Sequence, residues 1–246
     1  WNDFDLKALT PRDVLLAHSR WKRPCVLLYT REGLAERMAP HAPLELPADP
    51  LGRAAELAPE FSLGEPPAAN PRRRGPPSFS PLAGAELPLP PSGWLVAIDA
   101  EFVAVSHELT RPGRHGNKPV VVRPARLALA RVSCVRGEGE RKGEAFIDAY
   151  IQQAEPVVDY LTRFSGLHPG DLDPSVSAHH ITTMKAAYVK LRQLVDAGCR
   201  FVGHGLKKDF EMINVLVRPE QIVDTVDLFW LPGSRRISLR FLAWHL

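Results

Sequence analysis

Two acidic residues, Asp99 and Glu101, directly follow a continuous apolar run, Trp94-Leu95-Val96-Ala97-Ile98. Such a run is typical of a strand buried on both faces. Residues two apart on a strand point to the same face, about 6.6 Å apart at a rise of about 3.3 Å per residue. Two carboxylates at that spacing repel each other, and a divalent cation would relieve the repulsion. The pattern predicts a metal site, and the alternative is a strand end where both acids reach water.

A third acid, Asp209, follows the segment Val202-Gly203-His204-Gly205 at a predicted strand-to-helix junction. Folds of the α/β class commonly place ligands at such junctions. As an acid in the first helical turn, Asp209 would also have a purely structural role, because it interacts favourably with the helix dipole. His204, between two glycines, is expected to bond to the backbone. Three acids from two neighbouring elements could hold two Mg²⁺ ions, which prefer oxygen ligands.

The hydrophobic pattern predicts the elements that would position these acids. Three strands in a meander are followed by a helix, a strand, a second helix and a fifth strand. This order predicts an α/β fold with a ribonuclease-H-like mixed sheet and flanking helices. In chain order the predicted elements are strands at Trp94–Ile98, Arg126–Val135 and Ala145–Ile151, a helix at Met184–Val195, a strand at Arg200–Gly203, a helix at Asp209–Val217 and a strand at Gln221–Val226.

Proline divides the chain. Of 24 prolines among 246 residues, 14 lie between Pro40 and Pro91, where neither helical nor strand periodicity is present. We therefore predict a flexible linker or insertion over 40–92 and a folded domain over 93–246. Residues 1–39 contain one short apolar run, Cys25–Tyr29, which is too little for a domain. Because the sequence begins with Trp1 rather than Met, we expect it to be part of a longer chain.

Net charge and the number of cysteines bear on the binding partners and the cellular compartment of the protein. A balance of 31 Lys and Arg against 28 Asp and Glu gives a net charge of +3, which is too small to establish a nucleic-acid partner by bulk charge. The three cysteines have neither disulfide nor zinc spacing, so free thiols in a reducing compartment are expected. No run approaches the roughly 20 apolar residues of a membrane span. We expect a cytoplasmic protein without a membrane partner.

Five blocks, in order and with characteristic spacing, resemble the DEDD exonucleases and, among them, the catalytic subunits of PAN poly(A)-nuclease deadenylation complexes. The resemblance covers nearly all of 93–246 and implies a ribonuclease-H-like exonuclease domain lacking its C-terminal part. It also implies that 1–39 is the C-terminal end of an inactive ubiquitin-protease-like domain. The blocks are Leu95–Val103, Asp159–Gly166, Phe201–Phe210, Asp224–Val226 and Ile237–Trp244.

The resemblance implies a reaction and a set of ligands. Asp99, Glu101 and Asp209 match three of the four acidic residues that hold two divalent ions, Mg²⁺ or Mn²⁺, in this family. Hydrolysis would shorten mRNA poly(A) tails from the 3′ end and release 5′-AMP. The fourth Asp and a general-base His belong to a later helix of the family, and the sequence ends at Leu246 before it. We therefore predict weak metal binding and slow cleavage by the chain as given.

The implied partners are poly(A) RNA, a pseudokinase regulatory subunit and, indirectly, poly(A)-binding protein. Two alternatives stay open: another DEDD-type exonuclease acting on RNA or DNA, and a non-catalytic assembly scaffold of the deadenylation complex. Cationic side chains could hold an RNA backbone, and flat side chains could stack on bases. The candidates are Arg111, Arg114, Lys118, Lys207, Lys208, Arg235 and Arg236 for the backbone and Phe102, Tyr160 and Phe164 for the bases.

Overall fold

A six-stranded mixed sheet lies at the centre of the fold in the computed structural model, which describes residues 53, 56, 58–87, 89, 93–113, 119–229 and 236–245. The strands are β1 (Leu95–Ser106), β2 (Leu109–Arg111), β3 (Val120–Arg123), β4 (Arg126–Arg136), β5 (Ala145–Ile151), β6 (Ile181–Thr182), β7 (Arg200–Gly203) and β8 (Ile222–Asp224). The helices are α1 (Thr162–Ser165), α2 (Met184–Asp196), α3 (Leu206–Ile213), α4 (Thr225–Leu228) and α5 (Leu239–His245).

The sheet has the order β6-β5-β4-β1-β7-β8, and β2 and β3 form a separate hairpin. Strands β1, β4 and β5 are paired antiparallel, whereas β6, β7 and β8 add parallel to their neighbours. This arrangement confirms the predicted ribonuclease-H-like mixed sheet with flanking helices. Strand β1 lies inside the sheet between β4 and β7, and β4 pairs with it alongside both acids.

Some predicted bounds differ from the structure. Strand β1 continues to Ser106, so Asp99 and Glu101 lie within a strand rather than at its end. Helix α3 begins at Leu206, three residues before the predicted start, because the turn at 203–205 already reverses the chain. The last predicted strand ends at Asp224, whose side chain accepts a hydrogen bond from Val226 N and so begins α4.

Helix α2 covers one face of the sheet. Thr183 caps its first turn, since its side chain accepts a hydrogen bond from Ala186 N. The apolar face of α2 packs into the main core with the even-numbered residues of β1, Val96 and Ile98. Each fully buried Leu on such a face stabilises the fold by roughly 1.5 to 3 kcal/mol. The odd-numbered acids of β1 therefore occupy the face opposite α2.

Residues 58–87, called the strap from here on, pack against the central sheet and α2. Leu63 and Leu82 are buried in the main core, and Glu65 forms an ion pair with buried Lys190 at 3.1 Å. The prediction of a flexible linker over 40–92 therefore does not hold for 58–87. Isolated apolar side chains in an extended proline-rich segment produce no hydrophobic period, which is why the sequence pattern missed their burial.

Several other predictions fall on residues that the structure leaves undescribed. Residues 1–39, with their predicted strand at Cys25–Tyr29, lie outside the described residues, so their assignment stays a prediction. Within the described ranges, no helix is long and apolar enough to cross a lipid bilayer.

Candidate active site

Asp99 and Glu101 lie side by side on the face of β1 that α2 leaves uncovered. On β4 they are paired in register with Ser133 and Arg131, respectively. Asp99 is exposed and Glu101 is half-buried, whereas the alternate residue Ile98 is in the core. The alternation that the sequence predicted is thus present in the structure, with both carboxylates on one face.

The other edge of β1 is open beside these acids. Strand β7 pairs with β1 only from Leu95 to Ala97, and within the described residues no strand continues that pairing past Asp99. After Gly203 the chain leaves the sheet and turns into α3. Helix α3 packs against β1 and β4 and so brings its first turn towards the open edge.

A tight turn fixes the start of α3 and therefore the position of Asp209. A Cβ atom at Gly203 would lie 2.9 Å from the backbone oxygen of Ile98 and 2.4 Å from the side chain of Leu206, so only glycine fits this approach. Gly205 adopts a left-handed conformation with φ of 85°. Buried Leu206 and Phe210 then anchor the helix in the core.

Asp224 ties this turn to the next strand. Its two carboxylate oxygens accept hydrogen bonds from Gly205 N at 2.8 Å and from Leu206 N at 2.9 Å. Thr225 donates from its hydroxyl to Gly203 O at 2.8 Å, and the same hydroxyl lies 2.9 Å from His204 Nδ1. His204 therefore has a structural partner, although it is a side chain and not the expected backbone. The end of β8 holds the loop that places Asp209.

The three predicted acids lie within electrostatic range of one another. Burial raises the pKa of Glu101 to about 7, Asp99 and Asp209 add to the rise, and Arg131 opposes it. Burial raises the pKa of Asp209 to about 6, with further contributions from Asp99 and Asp224. Because Asp99 makes both Glu101 and Asp209 harder to ionise, the site concentrates negative charge that Arg131 offsets only in part.

This donor set fits a hard divalent cation. All three side chains offer carboxylate oxygens, the ligands that Mg²⁺ and Mn²⁺ prefer, and a cation would oppose the repulsion that adds to the raised pKa values of Glu101 and Asp209. Within the described residues, however, no three His, Cys, Asp or Glu side chains form a group that could hold a metal ion. Asp99, Glu101 and Asp209 thus lie within electrostatic range of one another without forming a closed chelate.

Arg131 and its partner Asp148 were not identified from the sequence. Arg131 donates from Nε to Asp148 Oδ1 at 2.7 Å, and its guanidinium carbon lies 5.0 Å from the centre of the Tyr150 ring. The ring of Tyr150 stacks on that of His179, with a centroid separation of 3.9 Å and an interplanar angle of 2°. No pattern in the sequence indicates this cluster, because it depends on the register of β4 against β1 and β5.

The predicted RNA-contact residues have mixed positions. Phe164 is 80% exposed, as a stacking surface requires. Tyr160 and Phe102 are half-buried and pack against the two core clusters. Arg111, Lys207, Lys208 and Arg236 are exposed, whereas Arg114, Lys118 and Arg235 lie outside the described residues.

The sheet order and the paired acids on β1 are those of a nuclease of the ribonuclease-H-like class, and a family match supports this. The family RNase T, described as exonuclease, matches residues 96–246. The chain belongs to this exonuclease family, whose members generally use divalent metal ions.

Individual proteins that resemble this chain describe its similarity more narrowly than the family match does. The chain is 44% identical over 247 aligned residues to the PAN2-PAN3 deadenylation complex catalytic subunit pan2 of Schizosaccharomyces pombe; the alignment covers 100% of this chain and 21% of that protein. The solved Pan2 catalytic unit of Neurospora crassa, with protease and nuclease domains, matches with 40% identity and a TM-score of 0.58 over 72% of this chain and 26% of that one.

A third relative was solved with nucleic acid. The Pan2 pseudoubiquitin hydrolase-RNA exonuclease module of Saccharomyces cerevisiae, in complex with A7 RNA, matches with 44% identity and a TM-score of 0.59 over 70% of this chain and 26% of that chain. The chain thus spans about a fifth of the length of the curated relative and about a quarter of each solved chain.

Proposed function

We propose that this chain is the nuclease part of a poly(A)-specific 3′-to-5′ exoribonuclease that shortens mRNA tails and releases 5′-AMP. One observation carries the proposal: Asp99 on β1 lies close enough to Glu101 on the same strand and to Asp209 on α3 to help raise the pKa of both. Membership of the exonuclease family supports the reaction class. The relatives named as deadenylation-complex subunits, and the one solved with A7 RNA, support poly(A) as the substrate.

The three acids would hold two divalent ions, Mg²⁺ or Mn²⁺. Such a pair supplies a water nucleophile at neutral pH and neutralises charge on the phosphate and the leaving 3′ oxygen. The contribution of the chain is positional. Pairing with β4 fixes Asp99 and Glu101 on β1, and Asp224 fixes the turn that precedes Asp209. A placement shift of about 1 Å in such a site can cost about 100-fold in rate, so these supporting contacts matter for turnover.

The same relatives suggest the assembly. We propose that a pseudokinase regulatory subunit, corresponding to PAN3 in the names of the relatives, is the partner of the longer protein. Poly(A)-binding protein would act as an indirect recruiter. Cys134 and Cys199 are buried free thiols, which is consistent with our proposal of a cytoplasmic setting.

The substrate is tested with two labelled RNA 20-mers, oligoadenylate and a mixed sequence, incubated with the chain and Mn²⁺. We expect stepwise loss of nucleotides from the 3′ end, release of 5′-AMP and faster shortening of oligoadenylate. Asp99→Asn should abolish the reaction, whereas Glu211→Gln, on the exposed surface of α3, should leave it unchanged.

Other outcomes identify the alternatives. Equal shortening of both RNAs would favour a different DEDD exonuclease. Calorimetric Mn²⁺ binding that is the same in wild type and Asp99→Ala, without any cleavage, would contradict a metal-dependent nuclease and favour the scaffold.

Metal binding is expected to depend on pH. A cation binds the ionised carboxylates, so it must displace protons held with pKa values of about 7 at Glu101 and about 6 at Asp209. Apparent Mn²⁺ affinity should therefore rise from pH 5.5 to 7.5 and level off above that range. Calorimetry in buffers of different ionisation enthalpy would show proton release at pH 6 and little at pH 8. An affinity that is flat across this range would contradict the coupling of the three acids.

A further inference from the structure

Arg131 occupies a distinctive place beside the carboxylates. It is the registered partner of Glu101 on the adjacent strand, so both side chains project from the same face of the sheet. It is close enough to lower the pKa of Glu101. The side chain of Arg131 is 34% exposed, so its guanidinium can be reached from solvent.

Only one edge of this guanidinium is engaged. Nε donates to Asp148 Oδ1, whose side chain is only 5% exposed, and the aromatic stack of Tyr150 lies beneath the guanidinium plane. Among the described residues, neither Nη nitrogen of Arg131 has a hydrogen-bond partner. The four Nη N–H donors are therefore without a partner among the described residues, and the Nε bond to Asp148 helps to fix the plane in which they lie.

Arg136, five residues along the same strand, shows what a structural arginine looks like in this fold. It is 1% exposed, and its nitrogens donate to the carboxylate of Glu86 and to four backbone oxygens. That guanidinium is saturated by the protein. Arg131 is also held by contacts, with Asp148 and Tyr150, but its Nη donors have no partner among the described residues and are free to bind a ligand.

The chemistry of the free donors defines that ligand. A planar guanidinium with two adjacent N–H groups matches the paired oxygens of a phosphate, and such charge-assisted bonds are among the strong ones. The three carboxylates repel a negatively charged phosphate. A phosphate bound beside them therefore needs a positively charged side chain in addition to any cation that the acids hold. We propose that Arg131 is a phosphate-binding residue that holds a phosphodiester of the RNA next to Asp99 and Glu101. This inference rests on the proposed function and adds to it a substrate contact.

The test uses a property that a purely structural arginine would not change. For single strands, the slope of log affinity against log salt concentration is about −0.7 for each phosphate that the protein neutralises. Binding of 5′-labelled oligoadenylate to the whole chain would be followed by fluorescence anisotropy in Ca²⁺ between 50 and 200 mM salt, with a gel to confirm intact RNA. For Arg131→Gln we expect about 10- to 100-fold weaker binding and a slope shallower by about 0.7. Arg131→Lys should recover the slope but only part of the affinity.

Arg192→Gln is the matched control. Arg192 is 31% exposed and pairs with Asp196 on α2, which covers the opposite face of the sheet. It should bind RNA as wild type does, with the same slope. A melting curve for every variant separates loss of contact from loss of fold.

Neutral methylphosphonate linkages, introduced one at a time, then identify the phosphate. Wild type should lose affinity at one linkage where Arg131→Gln loses nothing further. An unchanged salt slope in folded Arg131→Gln, with wild type binding oligoadenylate, would overturn the phosphate contact while leaving the proposed function intact. Failure of wild type to bind oligoadenylate at all would overturn both.

Discussion

Replacing Glu86 with Ala is expected to lower the free energy of unfolding by about 3 to 5 kcal/mol, the range for removing one partner of a buried ion pair. Glu86 belongs to the strap and forms a bidentate ion pair with Arg136, which is 1% exposed. Without Glu86, the guanidinium would keep its backbone acceptors but stay buried with its charge uncompensated. Urea unfolding followed by circular dichroism gives the measurement.

Glu144→Ala is the matched control for this change. Glu144 pairs with Arg141 at 2.6 Å, but its side chain is 53% exposed, and exposed pairs contribute only about 0 to 1 kcal/mol. A double variant that also replaces Arg136 with Met should regain much of the stability, because the buried charge is then absent. If Glu86→Ala unfolds at the same urea concentration as Glu144→Ala, the strap is not part of the folded nuclease body.

The same contact shows where sequence reasoning failed on the fold. Strands β1, β4 and β5 could be predicted because each carries a continuous or alternating apolar pattern that is local to the chain, whereas β2 and β3 were not predicted. The strap carries no such pattern, since Leu63, Phe79 and Leu82 are buried singly among prolines and polar residues. The residues that bury these side chains are distant in sequence, and a hydrophobic period in the local sequence cannot indicate such long-range contacts.

The site could be predicted to a similar extent. The strand period alone placed Asp99 and Glu101 on one face, and the structure agrees. Bringing Asp209 to them required the parallel pairing of β7 with β1, which the order of elements suggested and the resemblance supported. Arg131 could not be found in this way, because 19 residues separate Ser106 from Arg126 and this connection includes the β2–β3 hairpin. A shift of one residue in that register would turn Arg131 to the other face.

Glu101→Gln is expected to change activity and stability in opposite directions. A carboxamide keeps the size of the side chain but supplies no anionic ligand. Mutating residues that only support metal ligands commonly lowers metal affinity or activity by about 10- to 100-fold. Loss of a ligand itself should therefore slow metal-dependent shortening of oligoadenylate by at least about 100-fold. The substitution also removes a carboxylate that burial and Asp99 hold at a pKa of about 7. Above that pH, wild type in EDTA carries an ionised group that the folded state disfavours. The variant should therefore melt at a higher temperature at pH 8, by about 2 to 4 °C for each roughly 1 kcal/mol regained.

The pH dependence of the melting difference identifies its cause. A raised carboxyl pKa adds stability that is fully present below the ordinary pKa of 4.5 and is lost as pH rises through about 7. At pH 4, below both the ordinary and the raised pKa, wild type and Glu101→Gln should melt nearly together, and the gap should open between about pH 4.5 and 7 and stay constant above that range. Glu211→Gln, whose side chain is 59% exposed on α3, should show no gap at pH 4 or pH 8. If Glu101→Gln melts below wild type at pH 8, the folded state holds the ionised Glu101 by favourable contacts. If the variant retains metal-dependent cleavage, Glu101 is not a metal ligand of the reaction.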